Sequence, residues 1–149
     1  MICLVDTNIL LRFSRHEDPR YQIAREAVHK LEVGGYQLQT TLQNFAEFWN
    51  VSTRSANQNG FGRTPVETDD LLQDLEEAFP LLPDSPNVYP EWRQLVVKYN
   101  VSGVQVHDAR LVATMLVHDV KHILTFNAQD FIRYRPEEII AVDPSAEIN

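Results

Sequence analysis

The sequence predicts an α/β protein, a three-layer α/β/α sandwich around a parallel sheet of four or five strands. Three observations predict it. Short apolar runs alternate with amphipathic stretches of helical length, the order that crossovers between parallel strands require. The first run, Met1-Ile2-Cys3-Leu4-Val5, is continuously apolar, as in a strand covered on both faces. It stops at Asp6-Thr7-Asn8, which delivers a carboxylate where open parallel sheets bind ligands, beyond the carboxyl ends of the strands.

Each later element has its own signal. Tyr21–Val33 reads as a helix with Ile23, Ala24, Ala27, Val28 and Leu31 on one face, ended by Gly34-Gly35. Residues 36–40 read as a short second strand. Thr40 followed by Gln43 resembles a capping box, starting a helix that carries Phe45, Phe48 and Trp49 and runs toward Ala56. The polar, glycine-bearing segment 57–62 is a loop. Residues 68–77 form a helix with Leu71, Leu72 and Leu75 inward, followed by a short strand near 79–82. Pro83, Pro86 and Pro90 punctuate a connection before a helix over 92–99. Val106–Val117 is a helix with Leu111, Val112, Met115 and Leu116 on its apolar side. The chain then reads as a strand at 122–125, a helical turn at 130–134 and an edge-like strand at 139–142.

Composition bounds the function. A chain of 149 residues, 44% hydrophobic and 23% charged, is the size and make-up of one folded domain. Cys3 is the single cysteine, which excludes an intrachain disulfide and fits a reducing cytoplasm. With neither a signal-peptide pattern nor a long apolar span, the expectation is a soluble, cytoplasmic protein without a membrane partner. A net charge of −8 argues against wrapping nucleic acid through the overall field. It leaves room for a metal enzyme acting on phosphodiesters, because divalent cations compensate clustered acids. Arg12, Arg15, His16, Arg20 and Arg25 form a local basic patch just after the first acid, or else a solvated helix face.

The acids carry the chemistry. Mg²⁺ and Mn²⁺ prefer hard oxygen ligands, and Mg²⁺ keeps several waters, so a few convergent carboxylates make a site. Asp6 ends the first strand, although an aspartate there is also a common turn residue or helix N-cap. Thr7 and Asn8 beside it can hydrogen-bond a metal-bound water or a phosphate oxygen. Glu47 lies between Phe45 and Phe48-Trp49, too apolar a setting for a casual surface glutamate and costly if buried unpaired. The plain alternative, an ion pair with Arg54, has poor helical spacing. Asp108 opens the helix at Val106, where the helix dipole also favours a first-turn acid. Asp130 follows the apolar run Ile123-Leu124 and either joins the acids or caps the next turn.

These residues resemble a known family. Val5-Asp6-Thr7-Asn8, Glu47 in its aromatic helix, His107-Asp108-Ala109-Arg110-Leu111-Val112-Ala113 and Leu124-Thr125-Phe126-Asn127-Ala128-Gln129-Asp130-Phe131 look like the four motifs of a PIN-domain ribonuclease, and more specifically of VapC-type toxins of prokaryotic toxin–antitoxin systems. The resemblance runs from Val5 to about Pro144, essentially the whole chain, and implies a single PIN-like nuclease domain over residues 1–149. It implies Mg²⁺- or Mn²⁺-dependent endoribonuclease activity, with Asp6 and Asp108 as metal ligands and Glu47 orienting or deprotonating the attacking water. Thr125 then fixes the site by hydrogen bonding. The chain departs from the family at Asn127, where the fourth acid usually stands, so that Asp130 or Asn127 supplies the fourth function.

As partners the resemblance implies an RNA substrate, a cognate antitoxin and a second copy of the chain. Apolar residues of 45–51 and the helix after Pro65 are candidate docking surfaces. Two other readings stay open. One is a non-nuclease Mg²⁺-binding phosphoryl-transfer or receiver-like domain, which usually needs a lysine near the acids; the lysines here are Lys30, Lys98 and Lys121. The other is a catalytically weak PIN fold that only binds RNA or protein.

Overall fold

The computed structural model describes residues 1–146. Its centre is a four-stranded, all-parallel sheet in the order β2-β1-β3-β4, with β1 at Ile2–Val5, β2 at Gln37–Gln39, β3 at His122–Leu124 and β4 at Ile140–Val142. β1 pairs with β2 through Cys3 opposite Leu38 and with β3 through Leu4 opposite Ile123. The central strand is therefore covered on both edges and both faces, which is why its sequence is unbroken apolar.

Alternation along β1 sorts the core into two layers. Cys3 and Val5 point into one cluster, with Ile9, Leu10, Ala24, Val28, Leu38, Phe45, Phe48 and Leu75. Leu4 points into the other, with Leu95, Leu111, Val112, Met115, Ile123 and Phe131. The first layer holds α1 (Thr7–Phe13), α2 (Tyr21–Val33), α3 (Leu42–Thr53) and α4 (Pro65–Ala78); the second holds α5 (Val88–Lys98) and α6 (Val106–Val117). The three-layer α/β/α architecture read from the alternation is the one observed.

Departures from the sequence reading have local causes. α1 was not legible, because its seven residues are too short for a periodic signal and follow directly on Asp6, which caps it. The cap of α3 is Thr41, whose hydroxyl accepts from the Asn44 N–H; Thr40 instead donates to the Val5 carbonyl and ties α3 to β1. α3 ends at Thr53, short of Ala56, because the chain turns at Gly60: a Cβ there would sit 1.9 Å from the Arg54 carbonyl oxygen. The strand expected near 79–82 is a single parallel bridge between Thr40 and Leu81, so the sheet has four strands and not five. The turn expected over 130–134 is a longer 3-10 segment, Ala128–Glu137. Phe45 and Phe48 are core residues, which removes them from the docking surface expected over 45–51. Among the described residues no helix is long and apolar enough to cross a membrane.

Candidate active site

β1 has β2 on one side and β3 on the other, so the chain reverses its direction of travel across the sheet between β1 and β3. At such a switch point the loops leaving the strands diverge and open a crevice at the carboxyl ends. Asp6 follows β1 and Thr125 follows β3, so both reach this crevice.

Asp6 is 7% exposed and surrounded by donors. Its Oδ1 accepts from the Thr7 N–H at 2.8 Å and from Asn44 Nδ2 at 3.3 Å; its Oδ2 accepts from the Thr125 hydroxyl at 2.8 Å. Asn8 binds the same threonine, donating from Nδ2 to Oγ1 at 3.1 Å, while its Oδ1 accepts from the Phe126 N–H at 3.1 Å. The side chains after β1 and β3 are thus laced together. Asp6 caps α1 through one carboxylate oxygen while the other faces Thr125 in the crevice.

Glu47 joins from α3. Its Oε2 accepts from the Thr7 hydroxyl at 2.7 Å and its Oε1 from Gln43 Nε2 at 3.0 Å. Gln43 also donates to the His107 carbonyl at 2.9 Å, fastening α3 to the first turn of α6, where Asp108 stands. The start of α6 is braced as well by Trp92, whose indole donates to the Val106 carbonyl at 2.9 Å. Arg54 does not reach Glu47; its guanidinium donates to the Asn59 carbonyl.

Charge unites these acids. Burial pushes the Asp6 carboxyl up to about 6, and the nearby Asp108 and Glu47 carboxylates push the same way against its hydrogen bonds. Burial also pushes Asp108 up to about 6, with Asp130 and Glu47 adding like charge. Asp108 and Asp130 share a cleft of about 380 Å³ with Gln105, Gln129 and Arg133. Asn127 is exposed and its N–H donates to Thr125 Oγ1 at 3.0 Å, while its side chain caps nothing. Asp130 lies in the first turn of the 3-10 segment, where only its backbone N–H reaches back, to the Asn127 carbonyl.

Asn44 escaped the sequence reading, and Gln43, read there only as a capping-box residue, instead bridges Glu47 and the His107 carbonyl. Asn44 is fully buried and donates to both Asp6 and Thr7. Its signal was there: a polar residue between Thr41 and Phe45-Phe48, on the face that must be buried. No lysine lies among the acids, since Lys98 pairs with Glu137, Lys121 with Glu138, and Lys30 sits on α2.

A parallel sheet with acids gathered at its switch point defines an α/β protein built around an anionic crevice. The chain belongs to the PIN domain family, whose profile matches residues 3–135. The fold is shared with solved structures of low sequence identity. VapBC-1 from nontypeable Haemophilus influenzae superposes with a TM-score of 0.69 at 15% identity, over 98% of this chain and 100% of that one. A toxin–antitoxin complex from Klebsiella pneumoniae gives 0.64 at 22% identity, over 98% and 99%. FitAcB from Neisseria gonorrhoeae gives 0.67 at 17% identity, over 97% and 98%. No curated protein matches the chain by sequence.

Proposed function

We propose that the protein is a Mg²⁺- or Mn²⁺-dependent endoribonuclease and the toxic member of a VapC-type toxin–antitoxin pair. One observation carries the reading: Asp6 after β1, Glu47 on α3 and Asp108 at the start of α6 are brought to one crevice, linked through Thr7, Gln43 and the His107 carbonyl, where burial and like charge raise both aspartates. Such a site is costly to ionise alone and gains from a divalent cation. The donor set fits one. It is all hard oxygen, without thiolate or imidazole, and the buried Gln43 Oε1 beside Glu47 is an acceptor without a partner. Among the described residues no three acidic, histidine or cysteine side chains already converge at ligating distance. A hydrated Mg²⁺ needs only one or two carboxylates.

Asp6 and Asp108 would hold the ion. Bound there, it stabilises charge developing on the phosphate and acidifies its bound water. Glu47, fixed through both oxygens by Thr7 and Gln43, orients the attacking water and takes up its proton. Thr125, Asn8 and Asn44 hold Asp6 in one rotamer, and Asp130 with Asn127 flanks the far side.

The family match and the shared fold with toxin–antitoxin complexes support the toxin reading, and with it a cytoplasmic protein, an antitoxin partner and a homodimer. Val66 and Leu42, 73% and 53% exposed, offer apolar surface for such partners. The test is cleavage of single-stranded RNA by the purified protein. Mg²⁺ or Mn²⁺ supports it, Ca²⁺ supports it poorly, EDTA stops it, and Asp6→Asn or Asp108→Asn abolishes it in a folded protein. Undiminished cleavage in EDTA, or by either variant, overturns the reading.

A further inference from the structure

A stripe of arginine and aromatic side chains leads away from the acids along α1. Asn8, Arg12 and Arg15 fall at i, i+4 and i+7, so they follow one face of α1 and the turn after it. The stripe begins at the site, because Asn8 binds Thr125 and accepts from the Phe126 N–H. Beside it the Arg20 guanidinium lies 4.9 Å from the centre of the Phe126 ring. At the far end Arg15 and Arg63 both lie over Phe61, at 4.8 and 4.9 Å.

The charges along it are unequal. Asp18 neutralises Arg12 at 2.7 Å, and the exposed Glu17 pairs with Arg15 at 3.2 Å. Among the described residues no carboxylate pairs with Arg20 or Arg63. Arg63 is instead held by neutral acceptors, donating to the Ser14 carbonyl at 3.2 Å and to the Ser14 and Ser52 hydroxyls at 3.3 Å. Burial first, and Arg15 second, hold the Arg63 pKa below its usual value. Glu17 and Glu67 offset part of the repulsion between the two guanidinium groups, and a phosphate beside them would offset more.

Guanidinium groups over aromatic rings, in a row that starts at an anionic site, suit one ligand chemistry. Single-stranded nucleic acid presents alternating phosphates and π-faces, which arginine and aromatic side chains bind without reading sequence. We propose that this stripe is the track for the single-stranded RNA on one side of the scissile phosphate. Arg20 on Phe126 stacks the nucleotide next to the site and neutralises its phosphate, and Arg15 with Arg63 over Phe61 holds phosphate further along. α1 is about 10 Å long, so this second contact lies beyond the nucleotides being cleaved. The identity of the ligand rests on the nuclease reading; the track itself is tested by binding.

The full chain is titrated in EDTA with a fluorescent single-stranded RNA oligonucleotide at several salt concentrations. Arg15→Ala and Arg20→Ala remove exposed or half-exposed side chains and leave the Arg63 bonds in place. Together they are expected to flatten the slope of log K against log salt by about 1.4, from about 0.7 for each lost contact. Arg20→Ala weakens binding on the order of 10-fold, as loss of one stacked base does. Arg20→Lys keeps the salt slope but not the affinity, and Lys30→Ala on α2 changes neither. With Mn²⁺, the double variant raises KM for the oligonucleotide. Unchanged affinity and slope in the double variant overturn the track even if the parent cleaves RNA. Normal RNA binding with lost binding of an acidic protein partner overturns it too. A parent that binds RNA through these arginines but cleaves none leaves the track standing and removes the nuclease reading.

Discussion

Asp6 and Asp108 are the same group, raised to the same value of about 6, yet the protein holds them in opposite ways. Asp6 accepts from a backbone N–H, a threonine hydroxyl and an asparagine amide, and is largely buried. Asp108 is half-buried, has no hydrogen bond among the causes of its shift, and opens onto the cleft it shares with Asp130. On the Asp6 side, donors offset part of the cost of burying charge, and the geometry is set before any ligand arrives. On the Asp108 side no hydrogen bond offsets it, so on the proposed reading a cation gains most there and the open cleft admits the substrate. One rigid wall and one electrostatically unsatisfied wall make a site that is preorganised without being closed.

Mutations of the two walls therefore have opposite signs in the metal-free protein. Thr125→Val removes the donor to Asp6 Oδ2 and leaves a buried charge short of a partner, lowering the unfolding free energy by about 2 kcal/mol. Asp108→Asn removes a charge that burial and like neighbours oppose, raising it by about 1 kcal/mol once partial exposure is allowed for. Urea unfolding in EDTA at pH 7.5 measures both. Two shifts of the same sign would erase the distinction between the walls.

The same shifts set a pH dependence. Both folded-state values lie above the ordinary 3.8, so the folded protein binds more protons between about 3.8 and 6. That contribution to stability is fully present below about 3.8 and is lost as pH rises through about 6. In EDTA the parent should gain stability relative to Asp108→Asn as pH falls from 7.5 to 5, and Mn²⁺ should reduce the difference at pH 7.5. A difference that stays flat across this range would mean that Asp108 titrates normally.

The layers were legible because burial on both faces leaves a continuous apolar run in β1 and a 3.6-residue period in α2 and α6. Asp6 and Asp108 stood out by position, at the end of an apolar strand and the start of an apolar helix, and Glu47 as an acid set among aromatic residues. α1 did not, since a short helix capped by the site's own aspartate has no independent signature. Asn44 and Gln43 were hidden because their roles depend on what lies opposite them, Asp6 in one case and the His107 carbonyl in the other. A single chain encodes which positions are buried more plainly than which partners they meet.

The smallest expected effect concerns the fourth motif, which extends the open wall. Asn127 occupies the family's position but is exposed and offers only a neutral carbonyl. Asp130, one turn on, adds like charge to Asp108 and lines the same cleft. It caps nothing in the 3-10 segment, whose N-cap is Asn127 without a side-chain bond. Asp130 is thus electrostatically coupled to Asp108, and on the proposed reading it acts on the ion through water, with Asn127 positioning the same water. Asp130→Asn should raise the Mn²⁺ concentration needed for half-maximal cleavage by about 10-fold, the size of an outer-sphere effect, with little change in melting temperature. Asn127→Asp should lower that concentration by placing a carboxylate at the mouth of the crevice. A melting temperature that falls in Asp130→Asn while the metal titration stays put would make Asp130 a structural residue, leaving Asp6, Glu47 and Asp108 as the working acids.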